Sequence, residues 1–180
     1  MPQGKVETIV CIRHGEKPLL GLGQLTPRGL NRALALPEVL LTKFGKPSFI
    51  FAPDPNQVAN DLGGEFCYVR PLATIEPAAI EYGVPVNTHF GFKDIAGLQQ
   101  ELTKPVYESA TIFVAWGAHL SGRFCQSSCG FALCKPGRKD QCGKISAMVN
   151  VKVREQDHVE LGHFRSTLSE PQCAATTRIY

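Results

Sequence analysis

The chain has no hydrophobic run that approaches the ~20 residues of a membrane-spanning helix, although 43% of its 180 residues are hydrophobic. Residues 1–7 lack a positively charged stretch followed by an apolar one, so we expect no signal peptide, no membrane partner and a cytoplasmic location. The chain also lacks a large excess of charge of one sign. Its net charge of +3 is too small to predict nucleic-acid binding. The length predicts one domain, or one domain with an appendage.

Charge and cysteine are unevenly distributed along the chain. Residues 1–116 contain 10 Lys and Arg against 11 Asp and Glu, whereas residues 117–180 contain 9 against 5. The second part also holds five of the seven cysteines: Cys125, Cys129, Cys134, Cys142 and Cys173. We therefore divide the chain into a core, residues 1–116, and an atypical, Cys-rich basic tail, residues 117–180.

Strand and helix patterns alternate through the core. Short apolar runs predict buried strands at residues 6–12, 48–52, 84–86 and 111–116. Helix patterns begin at Thr26-Pro27 and cover residues 70–82 and 92–102. Strands that alternate with helices predict an α/β fold, a three-layer α/β/α arrangement with a mostly parallel central sheet.

Three finer expectations concern the helices, loops and tail. In the first helix, Pro37 predicts a kink or a division into two short helices. The face expected to be buried in that helix is formed by Leu30, Ala33, Leu34 and Leu41. Residues 53–65 have the composition of a polar loop, in which we expect substrate specificity to be determined. The tail has no sustained period, so we expect it to be irregular apart from a strand at residues 145–153.

A chemically distinctive motif follows the first predicted strand. Arg13, His14, Gly15 and Glu16 stand where that strand ends, and the carboxyl ends of parallel strands face the ligand crevice in open α/β sheets. A histidine there is placed to meet a substrate, and the planar fork of arginine suits phosphate. Such a short motif also arises by chance, in which case His14 only ends the strand and Arg13 is a surface charge.

The wider pattern resembles the histidine phosphatase superfamily, the phosphoglycerate mutase-like group. The resemblance covers about residues 5–116. It is carried, in chain order, by Ile12-Arg13-His14-Gly15-Glu16, Leu25-Thr26-Pro27-Arg28-Gly29, Arg70-Pro71-Leu72-Ala73-Thr74 and the strand that ends at Trp116.

This resemblance implies hydrolysis of a phosphate ester on a small phosphorylated molecule. It implies that His14 is the nucleophile that forms a phosphohistidine, and that Arg13 and Arg70 bind the phosphate. Glu16 is a candidate general acid, although we prefer to regard it as a solvated loop carboxylate. No metal or cofactor is expected, since arginines supply the positive charge. The oligomeric state stays open.

The resemblance breaks directly after the last core strand. The family implies a second histidine in a Trp-Glu-His sequence, whereas this chain has Trp116-Gly117-Ala118-His119. A shift of one position reverses the face to which a strand side chain points, so a catalytic role for His119 is in doubt. Deletion of one base after the Trp116 codon, with a permitted choice of codons, restores Trp-Glu-His and then an amphipathic helix pattern. We therefore hypothesise that residues 117–180 are a frame-shifted translation.

Two alternatives belong to other functional classes. If the displaced His119 prevents turnover, the same arginines and His14 form a non-catalytic phosphate-binding site. The tail has enough cysteine and histidine for a zinc-binding interaction module, although its spacings lack paired C-x2-C motifs. Labelling of His14 tests the first alternative, and metal analysis of the purified chain tests the second.

Overall fold

The computed structural model describes residues 7–117 and the backbone of residues 147–153 and 159–165. A parallel arrangement dominates its main sheet. The elements in chain order are β1 (Thr8–Arg13), α1 (Pro27–Phe44), β2 (Phe49–Phe51), β3 (Val58–Asp61), β4 (Gly64–Cys67), α2 (Arg70–Tyr82), β5 (Val86–Asn87), α3 (Ile95–Leu102), a 3-10 turn (Pro105–Tyr107), β6 (Thr111–Trp116), β7 (Ala147–Val153) and β8 (Val159–Arg165).

The main sheet has the strand order β5-β2-β6-β1-β7-β8. Every neighbouring pair is parallel except β7 and β8, which are antiparallel. The predicted α/β fold with a mostly parallel sheet is therefore confirmed. β1 and β6 are almost wholly apolar, as expected of parallel strands that are buried on both faces.

The side chains of β1 alternate between two separate apolar clusters. Val10 and Ile12 pack in the cluster that contains residues of α1 and α2. Ile9 and Cys11 pack in the cluster that contains residues of α3. This alternation follows from the two-residue period of a strand. Because β1 packs on both faces, the residues at its carboxyl end are held in a fixed position.

Helix α1 buries a different face from the one that the sequence predicts. Leu30, Leu34 and Leu41 are 46%, 60% and 44% exposed, so the prediction of a buried face was wrong for these leucines. The buried residues are Gly29, Ala33, Leu36, Pro37 and Leu40. Apolar residues occur on both faces of this helix, and the face with small residues allows the closer approach to its neighbours.

Pro37 does not divide α1, which runs as one helix over residues 27–44. Proline supplies no N–H to the helix, but the Pro37 carbonyl accepts a hydrogen bond from the hydroxyl of Tyr82 in α2. The start and end signals elsewhere agree with the sequence. Thr26 caps α1 by accepting from the Gly29 N–H at 3.0 Å, and Gly83 ends α2 in the left-handed region with φ of 63°.

The segment between β2 and α2 is more ordered than the predicted loop. Residues 58–61 and 64–67 form the β3–β4 hairpin, so the expectation of a loop over residues 53–65 was wrong in its second half. The strands are joined through Leu62 and Gly63, a short connection of the kind that antiparallel strands permit. This hairpin carries Asp61 towards the start of α2.

The tail also contributes to the sheet. The predicted strand at residues 145–153 is confirmed as β7, which pairs with β1 in parallel. β8 was not predicted, and the expectation of an otherwise irregular tail was wrong for residues 159–165. In the part of the chain that the structure describes, no helix is long and apolar enough to cross a membrane.

Candidate functional site

The candidate site lies where β1 and β6 end side by side. Arg13 pairs in register with Trp116, and the His14 N–H donates to the Trp116 carbonyl at 3.0 Å. His14 is therefore fixed at the carboxyl edge of the two central strands, where ligands bind in open parallel sheets.

The His14 ring is held in one tautomer. Its Nδ1 lies 2.8 Å from the Gly15 carbonyl oxygen. Because a carbonyl only accepts, Nδ1 must carry the hydrogen when the ring is neutral, and Nε2 then carries the lone pair.

The same ring resists protonation. Burial, together with the charges of Arg70, Arg13 and Lys17, lowers the pKa of His14 to about 4, against an opposing effect of the hydrogen bond to Gly15. His14 is consequently neutral at physiological pH, with a lone pair on Nε2.

A short hydrogen-bonded chain connects the His14 loop to α2. The Gly15 N–H donates to the Thr74 hydroxyl at 3.1 Å, and that hydroxyl donates to the Arg70 carbonyl at 2.8 Å. Thr74 is 1% exposed, so both bonds are protected from water. Thr74 thus fixes the distance between the loop of the candidate nucleophile and the first turn of α2.

Gly15 and Gly29 form a second connection, between the His14 loop and α1. A Cβ added to Gly15 would lie 3.0 Å from the Gly29 carbonyl oxygen, and a Cβ added to Gly29 would lie 2.7 Å from the Glu16 carbonyl oxygen. The two backbones therefore approach more closely than any side chain permits.

Arg70 is a buried guanidinium at the start of α2. Its NH1 donates to Asp61 Oδ2 at 2.6 Å, and its NH2 lies 3.4 Å from Asp61 Oδ1. NH1 also lies 3.4 Å from the Gly21 carbonyl, while Nε is buried without a partner among the described residues. The guanidinium carbon lies 4.7 Å from the centre of the Tyr68 ring. The Tyr68 and His14 rings are nearly perpendicular, and their centres are 6.1 Å apart.

Asp61 gathers donors from three segments. Besides Arg70, it accepts from Lys17 Nζ at 3.2 Å and from the Gly23 N–H at 3.1 Å. Burial opposes ionisation of this carboxyl, but the hydrogen bonds from Arg70, Gly23 and Lys17 outweigh it and lower the pKa of Asp61 to about 2. The carboxylate therefore stays charged and neutralises part of the local positive charge.

Arg13 differs from Arg70 in exposure. Arg13 is exposed at the end of β1, and its charge contributes to the lowered pKa of His14. Arg13 and Arg70, like Lys17, therefore act electrostatically on His14 by disfavouring its protonated form.

Glu16 is not the solvated carboxylate that we preferred from the sequence. Its Oε1 lies 3.1 Å from NH1 of Arg32 in α1, and its side chain is 27% exposed. Its Oε2 is buried without a hydrogen bond among the described residues. The ion pair ties the His14 loop to α1, and the role of Glu16 as a general acid stays a prediction.

Two of the sequence-based hypotheses concern residues outside the described ones. His119, His158 and the five tail cysteines lie there, whereas of His163 the structure describes only the backbone, in β8. Within residues 7–117, the structure contains no group of three or more His, Cys, Asp or Glu side chains that could hold a metal ion.

No role was predicted for four residues near the candidate site, Lys17, Asp61, Tyr68 and Thr74, although Thr74 belongs to the motif that begins at Arg70. Two of them had a usable signal. Thr74 follows Arg70 by one helical turn, and Gly63-Gly64 is a hairpin signal that would have placed Asp61 at a strand end. Lys17 and Tyr68 carry no local pattern that marks them.

Comparisons with known proteins add no assignment: no protein-family model and no curated protein matches this chain.

Proposed function

We propose that this protein hydrolyses a phosphate ester of a small molecule through a phosphohistidine at His14. The proposal includes membership of the histidine phosphatase superfamily and its three-layer, phosphoglycerate mutase-like arrangement. It is supported by the sequence motifs and by the chemistry of the carboxyl edge of the sheet.

The observation that carries the proposal is the state of the His14 ring. The hydrogen bond from Nδ1 to the Gly15 carbonyl leaves the lone pair on Nε2, and the lowered pKa keeps that lone pair available at neutral pH. A neutral imidazole is a good nucleophile towards phosphorus. A histidine that merely ended the strand would need neither feature.

Positive charge beside His14 is the second support. A transferred phosphoryl group carries negative charge on its non-bridging oxygens, and arginine forks stabilise it. Arg13 is exposed, whereas Arg70 is buried and its Nε has no partner among the described residues. Because these cations supply the charge that Mg²⁺ supplies elsewhere, the mechanism requires no metal.

The reaction has two balanced steps. In the first, the Nε2 lone pair of His14 forms a bond to phosphorus while the ester P–O bond breaks, and the leaving oxygen takes a proton from a general acid. In the second, a water oxygen forms a bond to phosphorus, the P–N bond breaks, and the water proton returns to that acid. Glu16 is the candidate for this acid, and His119 is the candidate for the second histidine that completes the phosphate pocket in the family.

Trapping the intermediate tests the proposal. The full chain is mixed with a radiolabelled aryl phosphate and quenched in base, in which a phosphohistidine survives, whereas label from a phosphohistidine is lost in acid. We expect label in the native chain and none in His14→Gln. His89→Gln, which removes an exposed histidine outside the site, should keep the label. Label that persists in His14→Gln would contradict the proposal.

The labelling experiment also separates the binding alternative. Saturable binding of inorganic phosphate without label or turnover would make the protein a phosphate-binding module. Sequencing of the gene across the Trp116 codon addresses the frame hypothesis. If Trp-Glu-His appears, the second histidine of the family is present. If the sequence stands, the test of His119 is its substitution by Gln in the labelling assay.

A further inference from the structure

Asp61 lies where three segments of the candidate site meet. It belongs to the end of β3, and its oxygens accept from the guanidinium of Arg70, from Lys17 and from the Gly23 N–H. Its side chain is 3% exposed. A buried carboxylate with donors on both oxygens is fixed in orientation, and it fixes its partners in return.

The pairing with Asp61 uses one particular side of Arg70. A guanidinium presents five N–H groups in a rigid plane. Asp61 occupies the end formed by NH1 and NH2. The lateral edge of the guanidinium consists of Nε–H and the second N–H of NH2. Nε is buried and has no hydrogen-bond partner within residues 7–117. Such an edge has the geometry that binds phosphate bidentately. Because the Tyr68 side chain also hydrogen-bonds to Arg70, Nε–H is the group of this edge that is shown to be available.

We infer that Asp61 is a positioning residue that holds Arg70 end-on, so that the lateral edge of its guanidinium receives the phosphate transferred to His14. This inference rests on the proposed function. Asp61 itself does not touch the phosphate, because two anions would repel each other. Its role is to prevent the Arg70 side chain from turning and to lower the cost of burying the Arg70 charge while the site is empty.

The same contacts permit an opposite role, which makes the inference testable. A carboxylate that already binds Arg70 and Lys17 would be a competitor if phosphate had to displace it. Removal of the Asp61 charge would then strengthen phosphate binding. If Asp61 positions Arg70, removal of the charge weakens binding, so the direction of the change decides between the two.

The experiment measures binding of inorganic phosphate to the full chain by titration calorimetry. For Asp61→Asn we expect about a 10-fold weaker affinity, the loss of one charge-assisted hydrogen bond. In an Arg70→Gln background, the same substitution should change the affinity less than about 2-fold, since the two residues act as a unit. Glu65→Gln is the matched control, because it removes an exposed negative charge from the same hairpin and should leave affinity unchanged.

A second measurement uses only the native chain. Addition of phosphate should shift the NMR signal of the Arg70 Nε–H, because that group is the inferred contact. An Nε–H that does not respond at saturating phosphate would overturn the inference, even if Asp61→Asn fails to fold. If phosphate binds but Asp61→Asn binds as well or better, the inference fails while the proposed function stands. If the native chain binds no phosphate, both fail together.

Discussion

The protonation of His14 gives a quantitative prediction. Burial, with the charges of Arg70, Arg13 and Lys17, lowers the pKa of His14 from 6.5 to about 4. At about pH 5, roughly 90% of the imidazole should be neutral in the folded protein, against roughly 3% of a histidine with its ordinary pKa. Because the neutral ring is the nucleophile, the acid limb of the activity should therefore fall near pH 4 rather than near 6.5.

The same shift links His14 to folding. The unfolded chain binds a proton at His14 below its ordinary pKa of 6.5, whereas the folded chain does so only below about 4. The folded state is therefore penalised as pH falls from 6.5 to 4, by about 3 kcal/mol in total. Above pH 6.5 both states hold a neutral ring, and the penalty vanishes.

Urea unfolding measured at about pH 7.5 and pH 4.5 tests this reasoning. Between these conditions, the native chain should lose about 2.5 kcal/mol more unfolding free energy than His14→Gln, because the other titrating groups are common to both. His89→Gln controls for the loss of one histidine. Parallel losses in the native chain and His14→Gln, or an NMR titration of the His14 ring with a midpoint of 6 or above, would refute the assignment of a buried neutral imidazole.

Three other substitutions test the packing, hydrogen bonding and burial of described residues. Gly29→Ala should lower the unfolding free energy by about 1–3 kcal/mol, because its Cβ would lie 2.7 Å from the Glu16 carbonyl oxygen. Alanine has the better helix propensity, so a higher unfolding free energy in urea would contradict this prediction. Thr74→Val should cost about 1–3 kcal/mol in the same assay, because the Gly15 N–H loses its buried acceptor, and an unchanged midpoint would show that another acceptor replaces it. Glu7 has its pKa raised to about 7 by burial and by a neighbouring carboxylate, so the folded state loses stability as pH rises from about 4.5 to 7. Glu7→Gln should therefore stabilise the protein above pH 7 by up to about 3 kcal/mol, whereas equal unfolding free energies there would refute the shift.

The sheet was predictable because its central strands are short, strongly apolar runs that can be recognised from the local sequence. Residues 111–116 are apolar after Thr111 and short, which is typical of a strand that is buried on both faces. The position of His14 followed from the same argument, since the motif begins where the first run ends. Pattern and motif together therefore located the edge of the sheet and one side chain on it.

The features that the sequence did not predict have a common physical cause: each depends on contacts with residues that are distant in the chain or on the opposite face of a helix. In α1 the sequence shows leucines on both faces, and the buried face was decided by close packing around Gly29 and Ala33. Asp61 gained its role from partners 44 and 38 residues away, Lys17 and Gly23, which no local period reveals. The β3–β4 hairpin is largely exposed and polar, so its strands lack the apolar alternation that marks a half-buried strand.

The β3–β4 hairpin also has a consequence for how such a site can be altered. Its contribution to the charged centre is one side chain, Asp61, whereas its tip carries Leu62, which is 79% exposed. The tip is joined to the segment after β1 by the Gly63 N–H, which donates to the Leu20 carbonyl at 2.9 Å. Asp61 and the Gly63 bond therefore hold the hairpin in place, so a substitution at the exposed Leu62 would change the surface at the tip while the contacts of Asp61 are retained.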